Sequence, residues 1–187
     1  MIETANLTGH FLIAMPTLAD DNFSHTVTYI CQHDQEGALG VVINRPAEVR
    51  FGELLDHLTI HCDDDSVTEA ALYHGGPVQP ERGFVLHSPP GEWSASLVME
   101  NGLALTTSRD IIEAIAHGHG PQQWLAALGY AGWGPGQLEQ EMAENAWLSG
   151  PADIGVLFDS AVERRWPEAA ARLGIDLSRL ATVVGHA

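Results

Sequence analysis

The sequence predicts a single α+β domain, and three observations carry that prediction. Short apolar or β-branched runs recur along the chain, each bounded by turn residues, at positions 10–15, 26–31, 38–43, 71–74, 83–87, 95–99 and 103–106. Helically spaced apolar residues interrupt them irregularly, at Phe51, Leu54, Leu55 and Leu58 and again at Ile111, Ile112, Ile115 and Ala116, where a doubly wound fold would alternate strand with helix. The 187 residues are 45% hydrophobic and 18% charged and contain no repeat, low-complexity tract or linker, so one core serves residues 1–187.

In chain order, residues 10–15 make a first strand stopped by Pro16, and the polar stretch Ala19-Asp20-Asp21-Asn22 leads to a second. Thr26-Val27-Thr28-Tyr29-Ile30-Cys31 alternates and is β-branched, as a strand should be. His33-Asp34-Gln35-Glu36-Gly37 is a turn that pairs it in a hairpin with residues 38–43. The helix of Phe51 and Leu58 dissolves in a solvated acidic loop, residues 61–66. After four short strands, Ser108-Arg109-Asp110 opens the next helix with Ser108 as its N-cap, and Gly118 and Gly120 end it. Residues 124–128 fit helix or strand, and Gly129-Tyr130-Ala131-Gly132 decides for strand, because small residues admit close backbone approach. Pro135 stands in the first turn of a helix over residues 137–142. Residues 147–148 and 154–158 read as strands, and Trp166, Ala170 and Leu173 line a last helix between Pro167 and Gly174.

Charge limits the partners. Basic residues number 8 against 25 acidic ones, and the resulting −17 repels polyanions, which disfavours nucleic acids and anionic membranes. The only close basic cluster, Arg164-Arg165, has Glu163 and Glu168 beside it. Met1-Ile2-Glu3-Thr4 lacks the features of a secretion signal, and no apolar run approaches the ~20 residues that span a bilayer, so a cytoplasmic protein is expected. Cys31 reads as a buried thiol and Cys62 as a thiol beside three aspartates, with neither in a disulfide nor activated as a nucleophile.

Candidate functional residues gather in glycine-edged motifs. The run Gly37-Ala38-Leu39-Gly40-Val41-Val42-Ile43-Asn44-Arg45-Pro46 delivers an amide, a guanidinium and a proline at the end of a buried strand. Arg45 there either pairs structurally or waits for an anionic ligand. His74-Gly75-Gly76-Pro77 and Gly129-Tyr130-Ala131-Gly132-Trp133-Gly134-Pro135-Gly136 need glycine where a side chain would clash or φ must be positive. Trp133, Gln137 and Glu141 either line a cleft with Asn44 and Arg45 or form a solvated helix face beside a tryptophan anchor. His87 and His74 are the candidate acids or bases, with Glu141 or Asp110 as carboxylate partner. No metal site is expected: His57 and His61 lack a His-Glu-x-x-His setting, and His117-Gly118-His119 lies at a helix C-terminus, where imidazole meets the dipole. There is no Gly-x-Ser-x-Gly elbow and no phosphate-binding fingerprint, and no motif calls for a cofactor.

These motifs resemble the YqgE/AlgH family of bacterial proteins. Leu7-Thr8-Gly9-His10-Phe11-Leu12-Ile13-Ala14-Met15-Pro16 resembles its opening, and Gly37-Ala38-Leu39-Gly40, Ile43-Asn44-Arg45-Pro46, Gly75-Gly76-Pro77-Val78 and Gly83-Phe84-Val85-Leu86-His87 follow in the family's order. Gly129-Tyr130-Ala131-Gly132-Trp133, Gly136-Gln137-Leu138-Glu139, Asn145-Ala146-Trp147-Leu148, Leu157-Phe158 and Gly185-His186-Ala187 complete the match across the chain. Departures fall in loops, at residues 48–50 and 63–66. The resemblance implies an α+β domain whose bifurcated, mostly antiparallel sheet curls into a pseudo-barrel flanked by helices. It also implies a cytosolic bacterial protein with no settled activity and no established catalytic residues. One branch of the family was tied genetically to alginate production, the origin of its transcriptional-regulator label.

The reading that follows is a non-enzymatic binding or regulatory protein. Its surface would be the Asn44-Arg45-Pro46 and His74-Gly75-Gly76-Pro77 loops with Trp133, presented to a protein or a small anionic ligand. The alternative is a hydrolase-type enzyme using a His/carboxylate pair. Direct regulation of DNA is third, disfavoured by the charge and by the lack of a helix-turn-helix.

Overall fold

Three strands bond to one long strand, residues 123–133, two on opposite edges of its first part and one at its far end, and that sharing sets the architecture. The computed structural model describes residues 6–184; the opening Met1-Ile2-Glu3-Thr4 and the terminal Gly185-His186-Ala187 lie outside them. The elements run β1 (His10–Ala14), β2 (Val27–Asp34), β3 (Gly37–Val42), β4 (Pro46–Arg50), α1 (Phe51–His57), α2 (Asp65–Thr68), β5 (Ala71–His74), β6 (Val78–Ser88), β7 (Ser96–Val98) and β8 (Ala104–Thr106). They continue with α3 (Arg109–Ala116), β9 (Gln123–Trp133), α4 (Gln137–Ala143), β10 (Trp147–Pro151), α5 (Ile154–Phe158), α6 (Arg165–Ala171) and α7 (Leu177–Val184). No helix among the described residues is long and apolar enough to cross a membrane.

Strand order is β10-β1-β2-β3-β9-β6-β8-β7, antiparallel at every step, with β4 and β5 branching off β9. The far end of β9 pairs with β3, Trp133 opposite Ala38 and Ala131 opposite Gly40. Nearer its start it lies between β6 and β5, and β5 is its one parallel neighbour, Leu72 opposite Ala126. The sheet therefore forks at the middle of β9 and curls into a half-barrel, the bifurcated and mostly antiparallel architecture that the family resemblance implies.

Both faces of the central strands are covered, which explains their continuous apolar runs. In β1, Phe11 and Ile13 face the interior of the curl, with Tyr29, Val41, Leu86 and Leu125, while Leu12 and Ala14 pack outward with Ile30, Trp133 and Trp147. A third cluster seats α1 and α3 on β5, β6 and β9 through Phe51, Leu55, Ile111, Ile115, Leu72, Val85 and Ala126.

Several local expectations change. Residues 154–158 form helix α5, not a strand, because the Asp153 carboxylate accepts from the Val156 N–H at 3.0 Å and caps it. A further helix, α7, follows α6. Ser108 occupies the N-cap position of α3 without capping it; its hydroxyl donates to Asp110 Oδ1 at 2.5 Å and accepts from Ala95 N–H. Pro135 precedes the N-cap Gly136, outside the first turn of α4. Pro46 begins β4, a short strand that the sequence reading missed; it lies on a branch of the sheet, where a missing N–H is tolerated.

Candidate functional site

The motif residues singled out from the sequence do not converge on one cleft. Asn44 and Arg45 follow β3 at the end opposite Ala38, which pairs with Trp133, so roughly 20 Å of strand separates them at about 3.3 Å per residue. Asn44 braces the segment before β2: its Oδ1 accepts from Val27 N–H at 2.9 Å and its amide donates to His25 O at 2.9 Å. Arg45 donates to two carbonyls of the same loop, Asp21 O at 2.6 Å and Ser24 O at 2.9 Å. The guanidinium thus closes a turn, because Ser24 N–H already bonds back to Asp20 O. Pro46 is exposed beside Tyr73 of β5. His74 is exposed, and its N–H donates to Arg45 O at 2.7 Å.

Gly75 and Gly76 serve the fork of the sheet. Gly75 O accepts from Val42 N–H and Gly75 N–H donates to Leu128 O, both at 2.8 Å. A Cβ on Gly75 would overlap Gly129 O, and one on Gly76 would overlap the Tyr130 carbonyl and the Ala131 nitrogen. Pro77 stays exposed as the chain leaves this crossing.

Trp133, Gln137 and Glu141 do meet, as a closed staple. Glu141 Oε1 accepts from both indoles, Trp133 at 3.2 Å and Trp147 at 3.1 Å, and Oε2 accepts from Gln137 at 3.1 Å. Gln137 in turn accepts from Gly134 N–H at 3.0 Å. Phe23 packs against both indoles, tilted on Trp133 and edge-to-face on Trp147, with ring centroids 5.9 and 5.6 Å away. The staple ties α4 to the ends of β9 and β10.

His87 is buried without a carboxylate. Its Nδ1–H donates to Pro89 O at 3.0 Å, so Nε2 accepts from Thr106 at 2.7 Å, and Thr106 accepts from Ser96 at 2.6 Å. Glu141 is engaged as described, and Asp110 accepts from Ser94, Ser108 and Ile111 N–H. Neither carboxylate faces His87 or His74. The buried His–carboxylate contact is elsewhere: His33 Nδ1 accepts from Leu7 N–H, which leaves Nε2–H to donate to Glu139 at 2.5 Å. Although burial acts to raise it, the Glu139 carboxyl lies below its ordinary range, because its own backbone N–H and His33 favour the anion.

Burial lowers the His87 pKa, and the Pro89 carbonyl opposes that only in part. The unfolded chain therefore binds a proton first. Stability from this group is complete above pH about 6.5 and is lost as pH falls through the folded-state value. Between pH 7.5 and 5.5, urea unfolding of His87→Gln should show a shallower stability loss than wild type, by up to about 1.4 kcal/mol per pH unit. Parallel profiles would remove His87 as a source of the dependence.

A different side chain stands out once the packing is known. Arg165 opens α6 and is 5% exposed, and the helix turns it inward with Ala169 and Ala170. Trp166 fixes that rotation by donating to Ala14 O at 2.9 Å and packing its ring on His25, while neighbouring Arg164 stays outside and pairs with Glu168 at 3.0 Å. Arg165 Nη1 donates to Ile43 O, the guanidinium lies 5.1 Å from the centre of the Tyr73 ring, and Nε is buried without a partner. Among the described residues no Asp or Glu oxygen comes within 4.0 Å of it. The arginines that do pair with carboxylates, 109, 164, 172 and 179, are all at the surface.

A buried cation costs several kcal/mol unless it is compensated. One carbonyl and one aromatic face, worth about 2 kcal/mol when desolvated, leave part of that cost outstanding. Beside the guanidinium is a cavity of about 140 Å³ lined by Tyr73, Trp124, Leu125, Leu157, Phe158 and Arg165. Trp124 and Phe158 are only half-buried, so the cavity reaches the surface. In sequence this arginine stands out only as part of the basic cluster Arg164-Arg165, with Glu163 and Glu168 beside it. The available signal was its place four residues before Ala169, on the apolar side of a helix. Among the described residues, no group of three or more His, Cys, Asp and Glu is arranged to hold a metal ion.

Comparison with known proteins agrees with the fold. Residues 11–178 match the AlgH-like family, DUF179. A UPF0301 protein of Thioalkalivibrio sulfidiphilus is 54% identical over 187 residues, all of both chains, and one of Xanthomonas euvesicatoria is 53% identical over 181, or 97% of this chain and 96% of the other. The solution structure of the AlgH protein from Pseudomonas aeruginosa superposes with a TM-score of 0.81 at 47% identity, covering 100% of both chains. A Corynebacterium diphtheriae protein shares the fold at a TM-score of 0.75 and 20% identity, over 96% of this chain and 94% of that one. With a family match that spans most of its length and relatives above 50% identity throughout, this chain belongs to the AlgH-like family.

Proposed function

We propose that the protein is a binding protein for a small anion, held at Arg165, and that any regulatory role runs through that occupancy. One observation carries the reading: a guanidinium 5% exposed, beside a cavity, with no carboxylate partner among the described residues of a chain of net charge −17. A guanidinium held away from every described carboxylate, in a chain so rich in them, suits an incoming anion. Arg45 is a poorer candidate, because both of its hydrogen bonds already tie down a loop. A His/carboxylate hydrolase finds less support, since both nitrogens of His87 are bonded elsewhere.

The test is thermal unfolding with acetate, inorganic phosphate or sulfate at constant ionic strength in sodium chloride. A ligand at ten times its Kd adds about 1.4 kcal/mol, or roughly 3–6 °C for a chain of this size. We expect at least one anion to raise the Tm of wild type and of Arg45→Ala by that order and to leave Arg165→Gln unmoved. Circular dichroism must first show that the variants are folded. No shift in wild type, or an equal one in Arg165→Gln, ends the proposal.

A further inference from the structure

We infer that the free edge of β7 takes up an extended, basic segment of another protein, seated in a groove between the two end strands of the sheet. This surface is separate from Arg165 and does not depend on the anion site.

The hydrogen-bond pattern leaves that edge open. The sheet ends in β10 on one side and in β7 on the other. Thr107 N–H donates to Ala95 O and Met99 N–H to Leu103 O, both at 2.9 Å, with Leu97 opposite Leu105 between them. Residues 95, 97 and 99 therefore turn their backbone groups toward β8, and Ser96 and Val98 turn theirs outward. Both residues are exposed, so two N–H and two C=O groups face an incoming strand. The edge of β10 is poorer. Its Ala146 O accepts from Met15 N–H and Ala152 N–H donates to Gly9 O, so even-numbered residues bond to β1 and the outward edge includes Pro151, which has no N–H.

Side chains beside the edge choose the occupant. Leu97 and Val98 of β7, Met99 and Pro151 of β10 give apolar walls to one groove of about 550 Å³. Val98 is 58% exposed, the highest value of any large hydrophobic among the described residues. A short edge offers few hydrogen bonds, so apolar contact here and charge supply the rest of the affinity. Among the described residues no Lys or Arg lines the groove, and Glu100, which does, is exposed and outside every ion pair. In a chain of net charge −17 this favours a segment that sets Lys or Arg beside apolar residues. It disfavours a second copy of this chain, which would bring an equal negative charge to the contact.

The probe is a capped heptapeptide of alternating lysine and valine, titrated into the full chain up to about 1 mM at constant ionic strength while NMR follows amide hydrogen exchange. We expect binding that slows exchange at Ser96 and Val98, and binding about tenfold weaker or worse when glutamate replaces lysine in the peptide. Val98→Pro removes one outward N–H and none of the bonds to β8, at an edge position that tolerates proline, and should weaken the lysine peptide about tenfold. Val98→Ala keeps the N–H and should weaken it less. Glu100→Gln should weaken it and flatten its salt dependence. If circular dichroism shows Val98→Pro unfolded, the exchange data on wild type decide alone. No binding, binding that leaves Ser96 and Val98 unprotected, or equal affinity for the glutamate peptide overturns the inference. Protection of those two amides that grows with protein concentration in the absence of peptide also overturns it, by making a second copy the occupant.

Discussion

Gly76→Ala should lower stability by more than about 4 kcal/mol, the largest effect expected of any single methyl group in this chain. The added carbon would overlap the Tyr130 carbonyl and the Ala131 nitrogen, which are backbone atoms of β9 with no rotamer to yield. The residue also has φ +156°, which L side chains rarely adopt. Relief would require β9 to move away between Leu128, the last residue it pairs with β5, and Ala131, the first it pairs with β3, breaking the sheet at its fork. Gly102→Ala is the control, because Gly102 has φ +83° with nothing within 4 Å of its Cβ position, so it carries backbone strain alone, about 1 kcal/mol. Urea midpoints of the two variants decide the matter. If Gly76→Ala unfolds no earlier than Gly102→Ala, the close crossing does not hold the fork together.

Removing the Glu141 carboxylate should be nearly as damaging, at about 2–4 kcal/mol for Glu141→Ala. Three N–H groups lose their acceptor together, and two belong to Trp133 and Trp147, which are 6% and 3% exposed. Each buried donor left without a partner costs about 1–3 kcal/mol, and the half-buried position of Glu141 admits water that offsets some of it. Glu144→Ala breaks only an exposed contact with Gln140 and should stay within about 0.5 kcal/mol of wild type. Tryptophan emission adds a local readout: Glu141→Ala should shift to the red in the folded state as the indoles meet water. Equal midpoints for the two variants, with unshifted emission, would mean that α4 is held by packing alone.

The two predictions mark where the sequence was readable. The glycines of the 75–76 and 129–136 runs were legible because a glycine requirement is local: it reflects φ and the space around one Cβ. The meeting of Trp133, Gln137 and Glu141 was legible in part, since Gln137 and Glu141 share a helix face and Trp133 immediately precedes it. Trp147 was not, because its indole arrives from β10, whose position follows from pairing with β1. Asn44 and Arg45 were recognisable as special and not as braces, because the carbonyls they hold lie about twenty residues earlier in the chain.

By itself the sequence determined the α+β class, most strands, the hairpin of β2 and β3, the amphipathic helices α1 and α3, and the family. These follow from periodicity, turn chemistry and ordered motifs, which act over a few residues. Only the tertiary structure decided which arginine is buried. Arg164 and Arg165 are chemically identical neighbours, and a helical step of about 100° separates a solvated ion pair from a guanidinium facing a cavity. That rotation is set by Trp166 reaching Ala14 O, 152 positions back along the chain. Burial and counter-charge are properties of what surrounds a side chain in space, and neighbours in sequence do not reveal them.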